Sequence, residues 1–219
     1  MAPTTTAKHT TTPEMFRNGV FIIQVGKETK EDFTVHRSIA GACSSYFEAA
    51  LKEDGFKEGV EGIIHLKTED AKVFEHLVCW MYTGKLPDQP TEGNNIDLLC
   101  ELWLLADRYG VILLMNQALE GLSEEIYKTS SMPFAMMPKI YENTLAESGL
   151  RCFCIYAIGR TIPSSDIIKL DTAGWSREAE RDLLRAVALR CGIMPREQLW
   201  ASGLGSYLTA GTPVEGKKK

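Results

Sequence analysis

Hydrophobic residues change their spacing early in this chain, and that change restricts the fold to a small sheet followed by helices. Val20–Val25 (VFIIQV) is a β-branched run closed by Gly26, which predicts a strand. Phe33–Val35 alternates in polarity and predicts the second arm of a hairpin. From Ile39 onward, apolar residues recur every three or four positions, which is the period of an amphipathic helix. The sequence therefore predicts an α+β fold.

The later segments predict helices interrupted once by a short strand. Ser44 and Ser45 are both positioned to cap a second short helix after the first one. Ile63–Leu66 predicts the strand, and the next helix is expected to begin after Asp70 and to end at Gly84. Further helices are predicted at 96–108, 112–127, 140–147, 150–160 and 177–191.

Charge and hydropathy disfavour two classes of partner. The 219 residues carry a formal net charge of −5, whereas duplex nucleic-acid binders usually present a basic face. No apolar run approaches the roughly 18 residues that span a bilayer. The Thr-rich start also lacks the apolar stretch of a secretory signal. We therefore expect no nucleic-acid partner, no membrane partner and a cytoplasmic or nuclear location.

The six cysteines are expected to be reduced. Most lie in apolar stretches such as Val78-Cys79-Trp80, where a free cysteine behaves as a small buried hydrophobe. Three disulfides are the alternative, but a chain of this length without a secretory signal is more typical of a reducing compartment. Neither the cysteines nor the four histidines have the spacing of a zinc site, so no metal and no other cofactor is predicted.

We find no constellation of catalytic residues. Motifs for phosphate loops, dinucleotide binding, zinc proteases and nucleophile elbows are absent. Asp32 and His36 have a spacing that suits acid–base chemistry, but we favour a hydrogen-bonded histidine at the end of a polar hairpin. Cys43 precedes a predicted helix start, yet it shares an apolar face with Phe47, so burial is favoured over reactivity. The chain is predicted not to be an enzyme.

Taken together, several of these segments resemble a BTB/POZ domain. They are Asp32–Ser38 (DFTVHRS), Ala42–Phe47 (ACSSYF), the strand at 63–66 and Trp80–Gly84 (WMYTG). They occur in the order of the family between about residues 18 and 127. The resemblance implies a BTB/POZ fold, with a hairpin and a short strand beside a cluster of helices. It also implies a non-enzymatic protein–protein interaction module.

The resemblance suggests four segments. We expect a disordered N-terminal tail at 1–17, a BTB/POZ domain at 18–128, a C-terminal helical extension at 133–208 and a disordered tail at 209–219. The part of the extension from Ile140 to Arg151 is similar to the helical tail of fungal-type BTB proteins.

Cullin-binding members of the family carry a hydrophobic-x-Glu motif in the loop before the third strand. Phe56-Lys57-Glu58 fits that motif. An exposed aromatic ring can anchor in a pocket while a carboxylate meets a basic surface. Alternatively, Phe56 folds onto the domain core and Glu58 is merely solvated. The leading prediction is an adaptor that recruits partners to a cullin-RING ubiquitin ligase. The alternative is a scaffold or transcriptional co-regulator that associates with itself or with other proteins without a cullin.

Arg37 and Tyr82 complete the predicted protein-binding residues. Many dimeric members carry an aspartate just before the first strand, where it shares a charged pocket with the basic residue after the histidine. Here Gly19 occupies that position, although Arg37 is retained. An unpaired charge in a closed interface is costly, so Arg37 is either solvated or paired with another acid. We therefore predict a monomer, or a weak homodimer or heterodimer with other BTB proteins.

Overall fold

The computed structural model describes residues 11–52, 62–86, 95–167 and 169–190. The described chain forms two units. The first contains residues 11–52, 62–86 and 105–117, and the second contains residues 95–104, 118–167 and 169–190. The α+β class is confirmed. None of the described helices combines the length and the hydropathy that crossing a membrane requires.

A three-stranded mixed sheet lies in the first unit, with the strand order β2-β1-β3. β1 (Val20–Val25) pairs antiparallel with β2 (Glu31–His36) and parallel with β3 (Ile63–Leu66). Every second residue of β1 is buried, because side chains alternate between the two faces of a strand. The hairpin is confirmed, and β2 is longer than predicted because all six residues of β1 have a partner in it.

Two short helices follow the hairpin, α1 (Arg37–Cys43) and α2 (Ser45–Ala50). Ser44 lies between them in an extended conformation, and its Oγ accepts the backbone N–H of Phe47 at 3.1 Å. The same hydroxyl donates to the backbone carbonyl of Tyr109 at 2.6 Å. A predicted cap is confirmed: of the two serines, Ser44 is the cap and Ser45 is the first residue of α2. The one buried hydroxyl of Ser44 satisfies two backbone groups, one in α2 and one after α4.

α3 (Ala71–Thr83) begins and ends where the sequence predicts. The Asp70 carboxylate accepts the backbone N–H groups of Lys72 at 2.8 Å and Val73 at 3.3 Å. Gly84 follows the last turn with a φ of +67°, a left-handed conformation that stops a helix.

The division between the units falls within α4 (Asn95–Arg108) and α5 (Ile112–Thr129). The junction between these two helices lies in the first unit. There the Tyr109 ring stacks on the Phe47 ring with 5.6 Å between centroids. Gly110 has a φ of +63°, and a Cβ at this position would lie 2.2 Å from Ser45 Oγ, so only glycine fits.

The remaining helices belong to the second unit: α6 (Met137–Asn143), α7 (Gly149–Thr161), α8 (Ser164–Ile167) and α9 (Arg177–Arg190). The helices predicted near 150–160 and 177–191 are confirmed over the described residues. The one predicted at 140–147 begins three residues earlier, because Pro138 lies in its first turn, where proline is favoured, and does not separate it from the preceding segment.

Buried Arg151 joins three helices of the second unit. Its guanidinium forms an ion pair with Glu178 at 2.9 Å and donates to the backbone carbonyls of Tyr141 at 2.9 Å and Thr144 at 2.6 Å. It also lies 4.1 Å from the centroid of the Tyr141 ring. A buried charge is tolerated only when its donors are satisfied, so this network fixes α6 and α9 against α7.

Two expectations are corrected by the structure. Pro13–Phe16, within the predicted disordered tail, forms one turn of 3-10 helix that contacts α1. Proline at the start of the turn and the apolar Phe16 account for this order. Cys79 is exposed, not buried, because it lies two residues after buried Leu77, on the opposite side of α3.

Other cysteine predictions hold. The five cysteines within the described residues are free, and Cys100 and Cys154 are buried. Burial raises the pKa of the Cys43 thiol to about 12, which agrees with an unreactive side chain. The predicted limits of the BTB/POZ domain and the extension stay predictions, and residues 209–219 lie outside the described residues.

We predict that Ser44→Ala lowers the free energy of unfolding by about 1–3 kcal/mol, because it removes a helix cap and leaves the Tyr109 carbonyl without its donor. The neighbouring Ser45→Ala is the matched control, since exposed Ser45 makes no such bond. It should change stability by less than about 0.5 kcal/mol. Urea unfolding of both variants measures the difference, and equal midpoints would contradict the role of Ser44.

Candidate protein-interaction surface

Two of the predicted binding residues, Arg37 and Tyr82, lie next to His36. Arg37 follows His36 and begins α1. The hydroxyl oxygen of Tyr82 accepts the backbone N–H of His36 at 3.1 Å and lies 2.9 Å from its Nδ1. The junction of β2 and α1 is therefore attached to the last turn of α3.

The Tyr82 hydroxyl has a structural part in this junction. Its oxygen already accepts one hydrogen bond from the backbone, so its own hydrogen is available to Nδ1 of a neutral imidazole. The predicted hydrogen-bonded histidine is confirmed. Asp32 instead accepts a hydrogen bond from Gln24 at 3.0 Å, so neither residue of this pair is aligned with the other for acid–base chemistry.

Two exposed apolar side chains flank His36. The Phe16 ring meets the imidazole edge-on with 5.0 Å between centroids, and 48% of Phe16 is exposed. Val20, which is opposite His36 in the hairpin register, is 49% exposed. We call Phe16, Val20, His36 and Arg37 the N-terminal face. Exposed apolar side chains that lie together are typical of protein-binding surfaces.

Gly19 stands where many dimeric members of the family carry an aspartate, and it lies close to Arg37 in the structure. The backbone N–H of Arg37 donates to the Gly19 carbonyl at 3.1 Å. Gly19 has a φ of +73°, and no other group lies within 4 Å of the position where a Cβ would be. Space exists for a side chain at this position, but most L-residues disfavour the backbone conformation. The guanidinium Nη2 of Arg37 lies 3.6 Å from the corresponding Cβ position of Gly62.

The motif Phe56-Lys57-Glu58 lies outside the described residues. The chain is anchored on both sides of it. Before it, the N–H of Leu51 donates to the Phe47 carbonyl at 3.0 Å, and after it, the Gly62 carbonyl accepts the N–H of Ile22 at 2.9 Å. The motif therefore belongs to the link between α2 and β3.

The sequence did not reveal Phe16 and Val20 as surface residues. The six-residue run VFIIQV was interpreted as a strand without assigning its two faces, and Phe16 adjoins the Thr-rich segment. A signal was nevertheless present, because Phe21, Ile23 and Val25 form the more apolar alternate set. Among the described residues, no three His, Cys, Asp or Glu side chains are grouped in a way that would hold a metal ion.

A small mixed sheet with capped helices and an exposed apolar face are features of an α+β interaction domain. The family model of the BTB/POZ domain matches residues 20–125. The chain therefore carries a BTB/POZ domain, which confirms the family predicted from the sequence. Domains of this family mediate protein–protein interaction and are generally non-enzymatic.

Curated relatives agree with this family. The chain is 29% identical over 168 residues to the BTB and MATH domain-containing protein 42 of Caenorhabditis elegans, a match that covers 76% of this chain and 38% of that protein. It is 24% identical over 150 residues to the TD and POZ domain-containing protein 4 of Mus musculus. This second match covers 68% of this chain and 37% of that protein. The chain thus spans little more than a third of the length of these relatives.

We predict that Tyr82→Phe lowers the free energy of unfolding by about 1–2 kcal/mol, because it leaves the His36 N–H without its acceptor. The loss should be coupled to the imidazole. In a double-mutant cycle with His36→Leu, the two losses in stability should sum to more than the loss in the double variant. Thermal unfolding of the four proteins provides the comparison, and strictly additive losses would show that the two side chains act independently.

Proposed function

We propose that this chain is an adaptor whose BTB/POZ domain brings bound partners to a cullin-RING ubiquitin ligase. The feature that carries the proposal is Phe56-Lys57-Glu58, located between α2 and β3 in a chain whose family is defined by interaction. The anchored residues on both sides, Leu51 and Gly62, support the assignment because a binding segment loses less entropy when its ends are fixed.

The chemistry of the motif fits a partner with an apolar pocket beside a basic patch. An aromatic ring supplies a large anchor, and a carboxylate two residues away supplies orientation and electrostatic attraction. The helices held by Arg151 would then be available to bind the protein that is brought to the ligase. A cytoplasmic or nuclear location, where such ligases act, belongs to the same proposal.

The test is a pull-down of cullins by the tagged chain from a cell extract. Phe56→Ala combined with Glu58→Ala should abolish capture of the cullin and leave the melting temperature nearly unchanged. The matched control is Leu145→Ala combined with Glu147→Ala, because these exposed residues have the same hydrophobic-x-Glu spacing in the second unit. Capture should persist in the control. Undiminished capture by the Phe56/Glu58 variant would refute the proposal.

A second candidate function is self-association through the N-terminal face, without a cullin. The exposure of Phe16 and Val20 beside Arg37 favours it. We propose that this association is weak, because Gly19 provides no carboxylate for the arginine of a second copy. Such a protein would act as a scaffold or a transcriptional co-regulator.

Sedimentation velocity over a concentration series tests the strength of this association. We expect a monomer at nanomolar concentration and reversible association in the micromolar range. Phe16→Ser combined with Val20→Ser should weaken it, whereas Leu145→Ser, which alters an exposed apolar residue elsewhere, should leave it unchanged. A tight dimer at nanomolar concentration would contradict the prediction.

A further inference from the structure

α9 is held in the second unit by a small apolar contact. Among the side chains of α9 whose burial the structure describes, the buried ones are Ala179, Leu183 and Ala186, of which only the leucine is large. By comparison, eight residues of α7 are buried. The gain from apolar burial scales with the area removed from water, so α9 gains much less from packing than α7 does.

Two carboxylates of α9 supply the polar part of the contact. Glu178 forms the ion pair with buried Arg151 at 2.9 Å, and Asp182, one turn later, accepts the hydroxyl of Tyr141 at 3.0 Å. Asp182 also pairs with Arg185 of its own helix at 3.3 Å. Two carboxylates that are four residues apart on one helix therefore meet a cation of α7 and a hydroxyl of α6.

The position of Arg151 is set mainly by groups outside α9. Its Nη2 donates to the backbone carbonyls of Tyr141 and Thr144, and its Nε donates to the Thr144 hydroxyl oxygen at 3.2 Å. The guanidinium also lies over the Tyr141 ring. These contacts persist when α9 leaves, so the cation is already in place for an incoming carboxylate. A pre-organised group of this kind loses little entropy on binding.

An empty site would leave Arg151 without its carboxylate. A buried charge that has lost its partner is strongly unfavourable. Departure of α9 is therefore favoured when another carboxylate replaces that of Glu178, and much less so when the site simply opens. The ion pair makes exchange of one acidic helix for another the accessible change.

Gly159 restricts the shape of the helix that fits. A Cβ added at this position would lie 2.7 Å from the Ala186 Cβ, so α7 and α9 approach closely there. A bound helix consequently needs a small residue eight positions after the glutamate that meets Arg151. We call Tyr141, Arg151 and Gly159 the α6–α7 surface.

We propose that the α6–α7 surface is a docking site for an amphipathic helix of a partner protein, and that α9 occupies it as an internal competitor. The partner helix carries a glutamate, a second carboxylate four residues later, a leucine at the fifth position after the glutamate and a small residue at the eighth. Because α9 belongs to the same chain, its effective concentration is high, and helices that match the surface less well are excluded. As the site for the protein that the adaptor brings to the ligase, this surface rests on the proposed function.

A labelled peptide with the sequence of residues 176–190 is the probe. The full chain with Glu178→Gln and Leu183→Ser, which weaken the hold of α9, should bind the peptide at least about tenfold more tightly than the unaltered chain, because the surface is free for more of the time. The matched control is Glu180→Gln with Leu184→Ser, since both of these residues are exposed. The control chain should bind the peptide as the unaltered chain does.

Variants of the peptide identify the groups that are recognised. A peptide with Glu178→Gln and Asp182→Asn should bind the weakened chain at least about tenfold less tightly, because both carboxylates that meet the α6–α7 surface are lost. A peptide with Glu180→Gln should bind as the original does. Equal binding of the doubly altered and original peptides, or no gain in the weakened chain, would overturn the proposal.

Hydrogen exchange of the unaltered chain supplies a measurement that needs no variant. Amides in the central turns of α9 should exchange at least about tenfold faster than those of α7, because α9 opens while α7 stays folded. Equal rates would overturn the proposal, and so would loss of the fold in the weakened chain by circular dichroism, since the surface would then depend on α9. None of these measurements involves a cullin, so peptide binding and cullin capture can fail separately.

Discussion

The pairing of β1 along both of its edges determines which side chains of the first unit remain available for contact. Antiparallel pairing with β2 and parallel pairing with β3 fix the register of β1, so Phe21, Ile23 and Val25 face the core. A shift of one residue would exchange the two faces and expose these three side chains. The same register leaves Val20 outside, opposite His36. The sheet that stabilises the unit therefore also creates its exposed apolar surface.

Single polar side chains then hold the helices at the ends of that sheet. Ser44 serves both the start of α2 and the carbonyl of Tyr109, and Tyr82 holds the backbone and the ring of His36. The Ser44–Tyr109 and Tyr82–His36 bonds join residues that are 65 and 46 positions apart, so they limit movement between elements as well as satisfying a local group. Such a frame suits a docking domain, because rigid elements reduce the entropy lost on binding.

These contacts also mark what the sequence could reveal. Asp70 and Gly84 were predicted, and Ser44 was one of two serines expected to cap α2, because caps and left-handed turns depend on neighbouring residues alone. The Arg151 network was not predicted, because its partners are ten and twenty-seven residues away and nothing local distinguishes a buried arginine. The prediction that Cys79 is buried was wrong for a related reason, because apolar residues that are neighbours in sequence can lie on different sides of a helix. The role predicted for the Phe56-Lys57-Glu58 motif depends on the resemblance to the family and not on local sequence.

The ion pairs of α9 show why the properties of a surface are harder to infer from sequence than the fold. Read along the sequence, REAERDLLRAVALR resembles a solvated helix whose opposite charges compensate one another. The fold changes that compensation in part, because Glu178 pairs with buried Arg151 of α7, whereas Asp182 pairs with Arg185 of α9 and also accepts the hydroxyl of Tyr141. Satisfying a buried arginine of α7 thus withdraws one acid, Glu178, from the charge balance within α9. The same ion pair therefore contributes to the interior of the second unit and changes the charge that α9 presents.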